Sequence, residues 1–389
     1  MWISRDIEGL VRATAQQRPV VLLTGARQAG KTSLFQRLFP DHRFISLDLP
    51  SEAAQAEEDG TAFLARHGEP LVIDEVQYAP GLLRHLKRAV DAKRSLRGRF
   101  LLTGSQKFSL MKGISESLAG RAAVLELEPL SSREIRTARP DMTLEEMILR
   151  GGYPELHQDP SLDVTGFYRS YIVTYLERDL RSLLEVTSLR DFERFLRACA
   201  LRTGQLLNKA ELARDVGISP STANQWISVL CALNIVVLLE PWFSNRTRSI
   251  IKSPKLYLSD TGILLSLLNV GNLDELRRSP LLGQIWETFV FAELRRRQLA
   301  RTGTWSIQFF RDRSMEVDFL VDRGGTFDLY EAKWAELPAA RDTTSLGAVS
   351  RLLGEKNVRR KTIICRAQNP YPIGEGILAC GLGDLEEKS

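Results

Sequence analysis

The run Val21-Leu22-Leu23-Thr24-Gly25-Ala26-Arg27-Gln28-Ala29-Gly30-Lys31-Thr32 decides the reading of this chain. An apolar stretch empties into the spacing G-x-x-x-x-G-K-T, and the periodic residues Leu34, Phe35 and Leu38 follow. Strand, glycine-rich loop and helix is the context in which consecutive backbone amides and a helix N-terminus point at a polyphosphate. Gly25, Ala26, Arg27, Gln28, Ala29 and Gly30 are expected to form the cradle, with Ser33 closing it. Lys31 is expected to reach the β- and γ-phosphates, and the Thr32 hydroxyl to complete the coordination of a magnesium ion.

Working outward, residues 3–17 have helical periodicity (Ile3, Ile7, Leu10, Val11, Ala15) that stops before Arg18-Pro19. Downstream, Phe44 to Asp48 and Leu71-Val72-Ile73-Asp74-Glu75 read as strands, and the unbroken apolar run of the second implies burial on both faces. An acidic pair at the C-terminal edge of a parallel sheet places Asp74 to hold magnesium, usually through water, and Glu75 to polarise the attacking water. An amphipathic helix from about Pro80 to Ser95 precedes the strand Phe100-Leu101-Leu102-Thr103-Gly104-Ser105, where Thr103 or Ser105 is positioned to sense a γ-phosphate. Gly120-Arg121 comes just before the strand-like Ala122 to Leu127. Two readings of Arg121 stand: a charge that stabilises the transition state in a neighbouring subunit's site, or an ordinary surface arginine.

Phosphate loop, Asp-Glu strand, Thr-Gly-Ser strand, Ser-Leu-Ala-Gly-Arg (117–121) and Gly151-Gly152-Tyr153-Pro154-Glu155, in that order, resemble the bacterial and archaeal AAA-type ATPases fused to a C-terminal domain of unknown function. The resemblance covers nearly the whole chain. It implies ATP as the nucleotide, a parallel sheet in the order 5-1-4-3-2, and a helical lid after residue 130. Many AAA ATPases carry a sensor arginine after a Gly-x-Pro element, where this chain has Glu155; Arg150, Arg169 and Arg178 are the candidate substitutes.

Residues 163–200 read as helical, with Phe167, Tyr171, Tyr175 and Leu176 on one buried face and Glu177-Arg178-Asp179 solvated. From Asn208 to Ile227 the pattern is helix-turn-helix: Ala213 allows close approach, Gly217 takes the turn, Ser219-Pro220 starts the second helix, and Ile227 and Leu230 pack inward. Strand-like 235–239 and 255–258 around Asn245-Arg246-Thr247-Arg248 would make a wing. Ser221, Thr222, Asn224, Gln225 and Ser228 would then face a DNA groove, with Arg246 and Arg248 on phosphates; such modules also serve as protein-binding or packing units.

The last third holds a second constellation. Glu316 to Val321 and Phe327 to Lys333 are strands joined by a Gly324-Gly325 turn, which brings Asp318, Glu331 and Lys333 to one end of a sheet. Paired carboxylates there can bind magnesium while a lysine orients water for phosphodiester attack, and Glu287, on the preceding amphipathic helix, would add a metal ligand. The arrangement D-x12-E-x-K resembles the PD-(D/E)XK nucleases, a family that also contains DNA-binding members that do not cut. Arg295, Arg296, Arg297, Arg301, Arg311 and Arg313 suggest a phosphate-facing surface, although a solvated arginine-rich helix would look the same.

A chain of 389 residues implies two or three compact units. The divisions expected are an ATPase core at 1–130, a helical lid and linker at 131–200, a winged helix at 201–265 and a nuclease-like domain at 275–389. The fold class is therefore α/β: a P-loop parallel sheet with a helical lid, then a winged helix-turn-helix and a mixed α/β restriction-endonuclease-like domain. Hydrophobic content of 43% and charged content of 26% are those of an ordinary globular chain, and the net charge of +5 with pI ≈ 9.0 leans toward polyanionic partners. Four scattered cysteines and four dispersed histidines indicate neither a disulfide framework nor a zinc site. The N-terminus lacks the apolar region of a secretion signal and no run is long enough to span a bilayer, so a cytoplasmic setting without membrane attachment is expected. Together these features predict a magnesium-dependent ATP hydrolase, a motor or switch on branched or damaged DNA in repair, recombination or defence. A hexamer-like homo-oligomeric ring is a candidate assembly, and no small-molecule substrate besides the nucleotide is expected. Two other readings stay open: a nucleotide-dependent signalling switch with protein partners, and an ATP-gated endonuclease.

Overall fold

The computed structural model describes residues 2–105, 116–176, 189–243, 253–301, 303, 305–312 and 314–385. Arg178, Arg246, Arg248 and Arg313 lie outside the described residues.

The first layer forms because β1 (Val20–Thr24), β3 (Leu71–Asp74) and β4 (Phe100–Thr103) are apolar at all but their last position and must be covered on both faces. They pair in parallel with β2 (Arg43–Ser46) and β5 (Ala122–Glu126) in the order β2-β3-β4-β1-β5, the order that the resemblance implied. Alternate residues then feed different cores. Val20, Leu22, Ile73 and Leu102 join the helices Pro50–Glu58, Gly60–His67 and Leu82–Ala92 on one face. Val21, Leu23, Val72 and Leu101 join Ile7, Val11, Leu34, Phe35 and Leu38 on the other. The first helix runs only over Glu8–Gln17, shorter than the periodicity predicts, and Ile3 reaches the core from a non-helical lead-in. The helices Ser132–Ala138, Leu144–Arg150 and Pro154–Gln158 follow, the first two started by capping boxes at Ser131 and Thr143.

The middle of the chain is a helix Leu189–Ala200, a short β6 (Gln205–Leu206), the helix pair Lys209–Val216 and Pro220–Ala232, then β7 (Val236–Leu239) and β8 (Lys255–Leu258). These strands form an antiparallel sheet in the order β6-β8-β7. Gly217, with φ 83°, makes the turn between the paired helices, and the Ser219 hydroxyl caps the second by accepting from the Thr222 amide. Ala213, Ile227 and Leu230 are buried as their spacing requires.

The C-terminal unit is a six-stranded mixed sheet, β13-β14-β12-β11-β10-β9, built from β9 (Ser306–Arg311), β10 (Glu316–Asp322), β11 (Phe327–Ala332), β12 (Val358–Ile364), β13 (Tyr371–Gly374) and β14 (Ile377–Cys380). The helix Thr344–Leu353 covers one face, and the long helix Leu282–Leu299 packs on the other through Trp286, Phe289 and Phe291.

That long helix corrects one expectation. Arg295 and Arg296 do not form a phosphate-facing surface; they are held by carboxylates at the end of the first unit, by Asp260 of the middle unit and by Glu293 on their own helix. Arg295 bonds Glu126 at 2.7 Å and Glu128 at 3.0 Å, while Arg296 bonds Glu293 at 2.8 Å and Asp260 at 3.4 Å. Arg297 donates to the Leu382 carbonyl, and Arg311 pairs with Glu316. Glu293 also accepts from the Ser132 amide and hydroxyl, and Asp260 from the Gly152 amide and the Tyr168 hydroxyl. Arg296→Met leaves two buried carboxylates without their cation, so it is expected to cost about 3–5 kcal/mol of unfolding free energy. Urea denaturation followed by circular dichroism checks this, with Arg277→Met, which opens pairs of a half-exposed arginine with Glu145 and Asp274, expected to change little.

Candidate functional site

The phosphate loop turns where only glycine fits. Gly25 has φ 138°, and a Cβ there would lie 2.0 Å from the Leu127 carbonyl oxygen. Gly30, left-handed at φ 93°, leads into the helix Lys31–Leu38, whose first amides face the loop's concavity. The Lys31 ammonium, 6% exposed, is folded onto the loop's own carbonyls, at 3.1 Å from Gly25 and 2.8 Å from Ala26. Gln28, Gly30, Lys31, Thr32 and Ser33 open onto a cavity of about 380 Å³ walled by Trp2, Ile3, Leu130 and the lid residues Pro154, Glu155 and Gln158.

The acidic pair ends β3 beside the loop. The Thr32 hydroxyl donates to Asp74 at 2.6 Å, and the Thr103 hydroxyl donates to the same oxygen. Asp74 and Thr32 thus offer hard oxygen donors side by side, which suits magnesium. Glu75 has a left-handed backbone (φ 53°), costly for a residue with a side chain, and this turn places it on the cavity wall. Its carboxylate accepts from the Gln77 amide and, at 3.4 Å, from the Ser105 hydroxyl, while its backbone amide donates to Thr103 at 3.2 Å. Thr103 and Ser105 therefore reach the two carboxylates rather than the open cavity.

Arg121 lies at the opposite end of the strands from the loop, next to the start of β1, where it is bidentate to Asp91 at 2.8 and 2.9 Å. That distance from the loop removes it from its own chain's site. Arg150 donates to the Leu156 carbonyl, and Arg169 lines a separate groove with Glu193 and Arg197, so neither stands at the cavity. The arginine that does is Arg5. It donates to Ala29 O of the loop at 2.9 Å, to Glu128 O at 2.6 Å and to Glu134 at 3.2 Å. Sequence reasoning missed it, and Gln77 too; a helix-start Arg carries no motif, whereas Glu75-x-Gln77 spacing was a usable signal.

In the C-terminal unit, antiparallel pairing of β10 with β11 brings Asp318 beside Glu331, one step beyond the Phe319–Tyr330 pair. Asp318 accepts from the Ala332 amide at 3.0 Å, and Lys333 bonds Glu331 at 2.8 Å. Glu287 is close by, bonded to Lys255 at 3.0 Å and Tyr257 at 2.5 Å. Among the described residues no group of three or more His, Cys, Asp or Glu side chains is arranged to hold a metal ion. The sequence brings the nuclease-like side chains together, but not as a cage.

Known proteins are similar to this chain over most of its length. The family described as an AAA domain matches residues 17–136, and two families described as domains of unknown function, DUF8612 and DUF4143, match 141–274 and 282–385. Uncharacterized proteins of Mycobacterium tuberculosis and Mycobacterium bovis are each 32% identical over 379 residues, covering 96% of this chain and 82% of theirs. The chain belongs to this family of AAA-domain proteins. A Methanocaldococcus jannaschii protein, also uncharacterized, is 26% identical over 82% of this chain and 75% of its own. Among solved structures, the Walker-type ATPase PABY2304 of Pyrococcus abyssi is similar with a TM-score of 0.47 and 17% identity, over 69% of this chain and 96% of that one. AMPPCP-bound DnaA from Aquifex aeolicus is similar with a TM-score of 0.31 and 15% identity, over 57% and 84%. The chain is a P-loop ATPase of AAA type. No helix among its described residues is long and apolar enough to cross a membrane.

Lys31→Ala is expected to abolish nucleotide binding, because it removes the loop cation that would meet the phosphates. Glu75→Gln is expected to bind normally and lose about 10²–10⁴-fold in turnover, the contribution typical of a positioned base. Fluorescent-nucleotide titration and a phosphate-release assay separate the two; normal hydrolysis by Glu75→Gln removes Glu75 from that role.

Burial, and then the Asp318 carboxylate, push the Glu331 carboxyl up to about 8 and the Glu287 carboxyl up to about 7, against 4.5 for an ordinary glutamate. The folded state therefore holds protons that the unfolded chain has released. This contribution to stability is complete below pH 4.5 and is lost as pH rises through 7 to 8. Urea midpoints measured from acid to mildly alkaline pH are expected to fall over that window, and Glu331→Gln to flatten the fall.

Proposed function

We propose that this ATPase is magnesium-dependent and acts on DNA, switching or moving on it as the nucleotide turns over. The observation that carries this reading is the helix Pro220–Ala232. Its buried face (Ala223, Trp226, Ile227, Leu230) is fixed in the core, while Ser221, Asn224, Gln225 and Ser228 stand exposed. A polar face on the second helix of a helix-turn-helix, followed by an antiparallel hairpin, is suited to a DNA groove in the manner of a winged helix. Lys209 bonds Asn224 at 2.5 Å and adds a cation beside that face.

In the nucleotide site, the loop amides and Lys31 bind the phosphates, and Thr32 and Asp74 hold magnesium, which when bound neutralises phosphate charge. Glu75 takes the proton of the attacking water, Gln77 and Ser105 orient its carboxylate, and Thr103 holds Asp74 in place. Trp2, Ile3, Pro154 and Gln158 enclose the base. Arg121, at the far end of the strands, serves a neighbouring subunit's site in a homo-oligomer. The C-terminal unit contributes a second contact with the substrate through its nuclease-like sheet.

A second reading, a nucleotide-dependent switch that binds protein, draws on the first helix of the pair. There Glu211 and Asp215 are both engaged with Arg202, which lowers the positive charge around the exposed face. The phosphate-release rate with and without duplex, forked and four-way DNA tests the choice. DNA action predicts stimulation that weakens steeply as salt rises, since phosphate contacts release counterions; a rate indifferent to every DNA supports the protein-binding switch.

A further inference from the structure

The nuclease-like cluster has a cation of its own. Lys255 comes from β8, the central strand of the middle sheet, where Leu206 and Leu239 flank it in register. Its side chain is 2% exposed and crosses into the C-terminal unit. The ammonium lies 2.7 Å from Glu316, 3.0 Å from Glu287 and 3.6 Å from Asp318, and over the Phe309 ring at 5.6 Å. Two of the ligands that a nuclease-like reading assigns to magnesium, Glu287 and Asp318, are therefore already gathered by a lysine.

The remaining oxygens are largely committed. Glu316 pairs with Arg311 at 3.3 Å, Glu287 accepts from Tyr257, Asp318 accepts from the Ala332 amide, and Glu331 pairs with Lys333. Glu331 Oε2 is buried without a hydrogen-bond partner, the single carboxylate oxygen of the cluster so placed. Four carboxylates face three cations, Lys255, Lys333 and Arg311, so the cluster is close to neutral as it stands. A divalent ion on Asp318 and Glu331 would sit a few ångströms from an ammonium whose side chain is only 2% exposed, where solvent screens the repulsion poorly. Magnesium demands near-octahedral oxygen coordination, and one unpartnered oxygen beside a carboxylate shared with lysine does not supply it. The residues do not fit a catalytic metal.

Resting on the nuclease-like reading of this sheet, we infer that Lys255 is the resident cation of the cluster and that the C-terminal unit engages its substrate without a metal and without cutting it. The strand that carries Lys255 is not a detachable plug. Tyr257, two residues on, stacks on Phe291 at 4.4 Å and packs against Phe319, within the core shared by the middle and C-terminal units.

The test is thermal melting of full-length, nucleotide-free protein with and without millimolar manganese, comparing wild type, Asp318→Asn, Lys255→Met and Lys255→Arg. Any response of the ATPase site to manganese is common to all four. Wild type, Asp318→Asn and Lys255→Arg are expected to respond alike, whereas Lys255→Met is expected to melt lower and to regain part of the loss with manganese. A Lys255→Met protein that folds and gains nothing from manganese overturns the inference. If Lys255→Met does not fold, wild type decides: a manganese stabilisation that Asp318→Asn removes, or nicking of supercoiled plasmid that Asp318→Asn abolishes, overturns it, and equal melting with no nicking supports it. The melting comparison contains no DNA, so its failure is distinct from a failure of DNA to stimulate the ATPase.

Discussion

The structure depends on buried guanidinium–carboxylate pairs along one turn of the helix Leu282–Leu299. Arg295 and Arg296 take their partners from β5, from Asp260 and from Glu293 on their own helix, and Glu293 in turn holds Ser132 at the entry to the lid. Pairs taken out of water contribute little net stability, because desolvation offsets most of the attraction, but removing one partner is costly. Their effect is to fix which surfaces meet. The first sheet, the lid and the C-terminal sheet are joined at this point by geometry that an apolar contact alone would leave free to slide.

The same contacts run to the nucleotide site. Glu128 takes Arg295 and Asn234 on its side chain, while its carbonyl and that of Ala29 in the phosphate loop share the Arg5 guanidinium. Asp260 holds the Gly152 amide two residues before Pro154, which walls the cavity. The phosphate loop and the cavity wall at Pro154 are thus bonded to residues that the other two units also hold.

Much of the first unit was legible in the sequence, because its signals are local. A fully apolar strand ending in G-x-x-x-x-G-K-T, or in Asp-Glu, fixes both position and face, and the strand order followed once the resemblance was drawn. The helix-turn-helix was legible for the same reason, since Ala213, Gly217, Ser219 and Ile227 each have a steric or capping role at fixed offsets. Long-range partners were not legible. Arg295 read as surface because its partners are distant in sequence: Glu126 and Glu128, which bond it, stand more than 160 residues away. Lys255 was hidden likewise: on its own strand it is one cation between a proline and a leucine, and its meaning comes from Glu287, Glu316 and Asp318. The helices Pro50–Glu58 and Gly60–His67 and the strands after residue 357 escaped because their apolar patterns are short or interrupted.

Everything in this account returns to a triphosphate seated on main-chain donors between β1 and the helix Lys31–Leu38. Equilibrium dialysis of the wild-type protein against labelled ATP and magnesium measures that most directly. The account predicts saturable binding of one nucleotide per chain, displaced by unlabelled ATP or ADP and not by AMP, which lacks the β-phosphate that the loop surrounds. Absence of retained ATP, or retention that AMP displaces equally well, would contradict it.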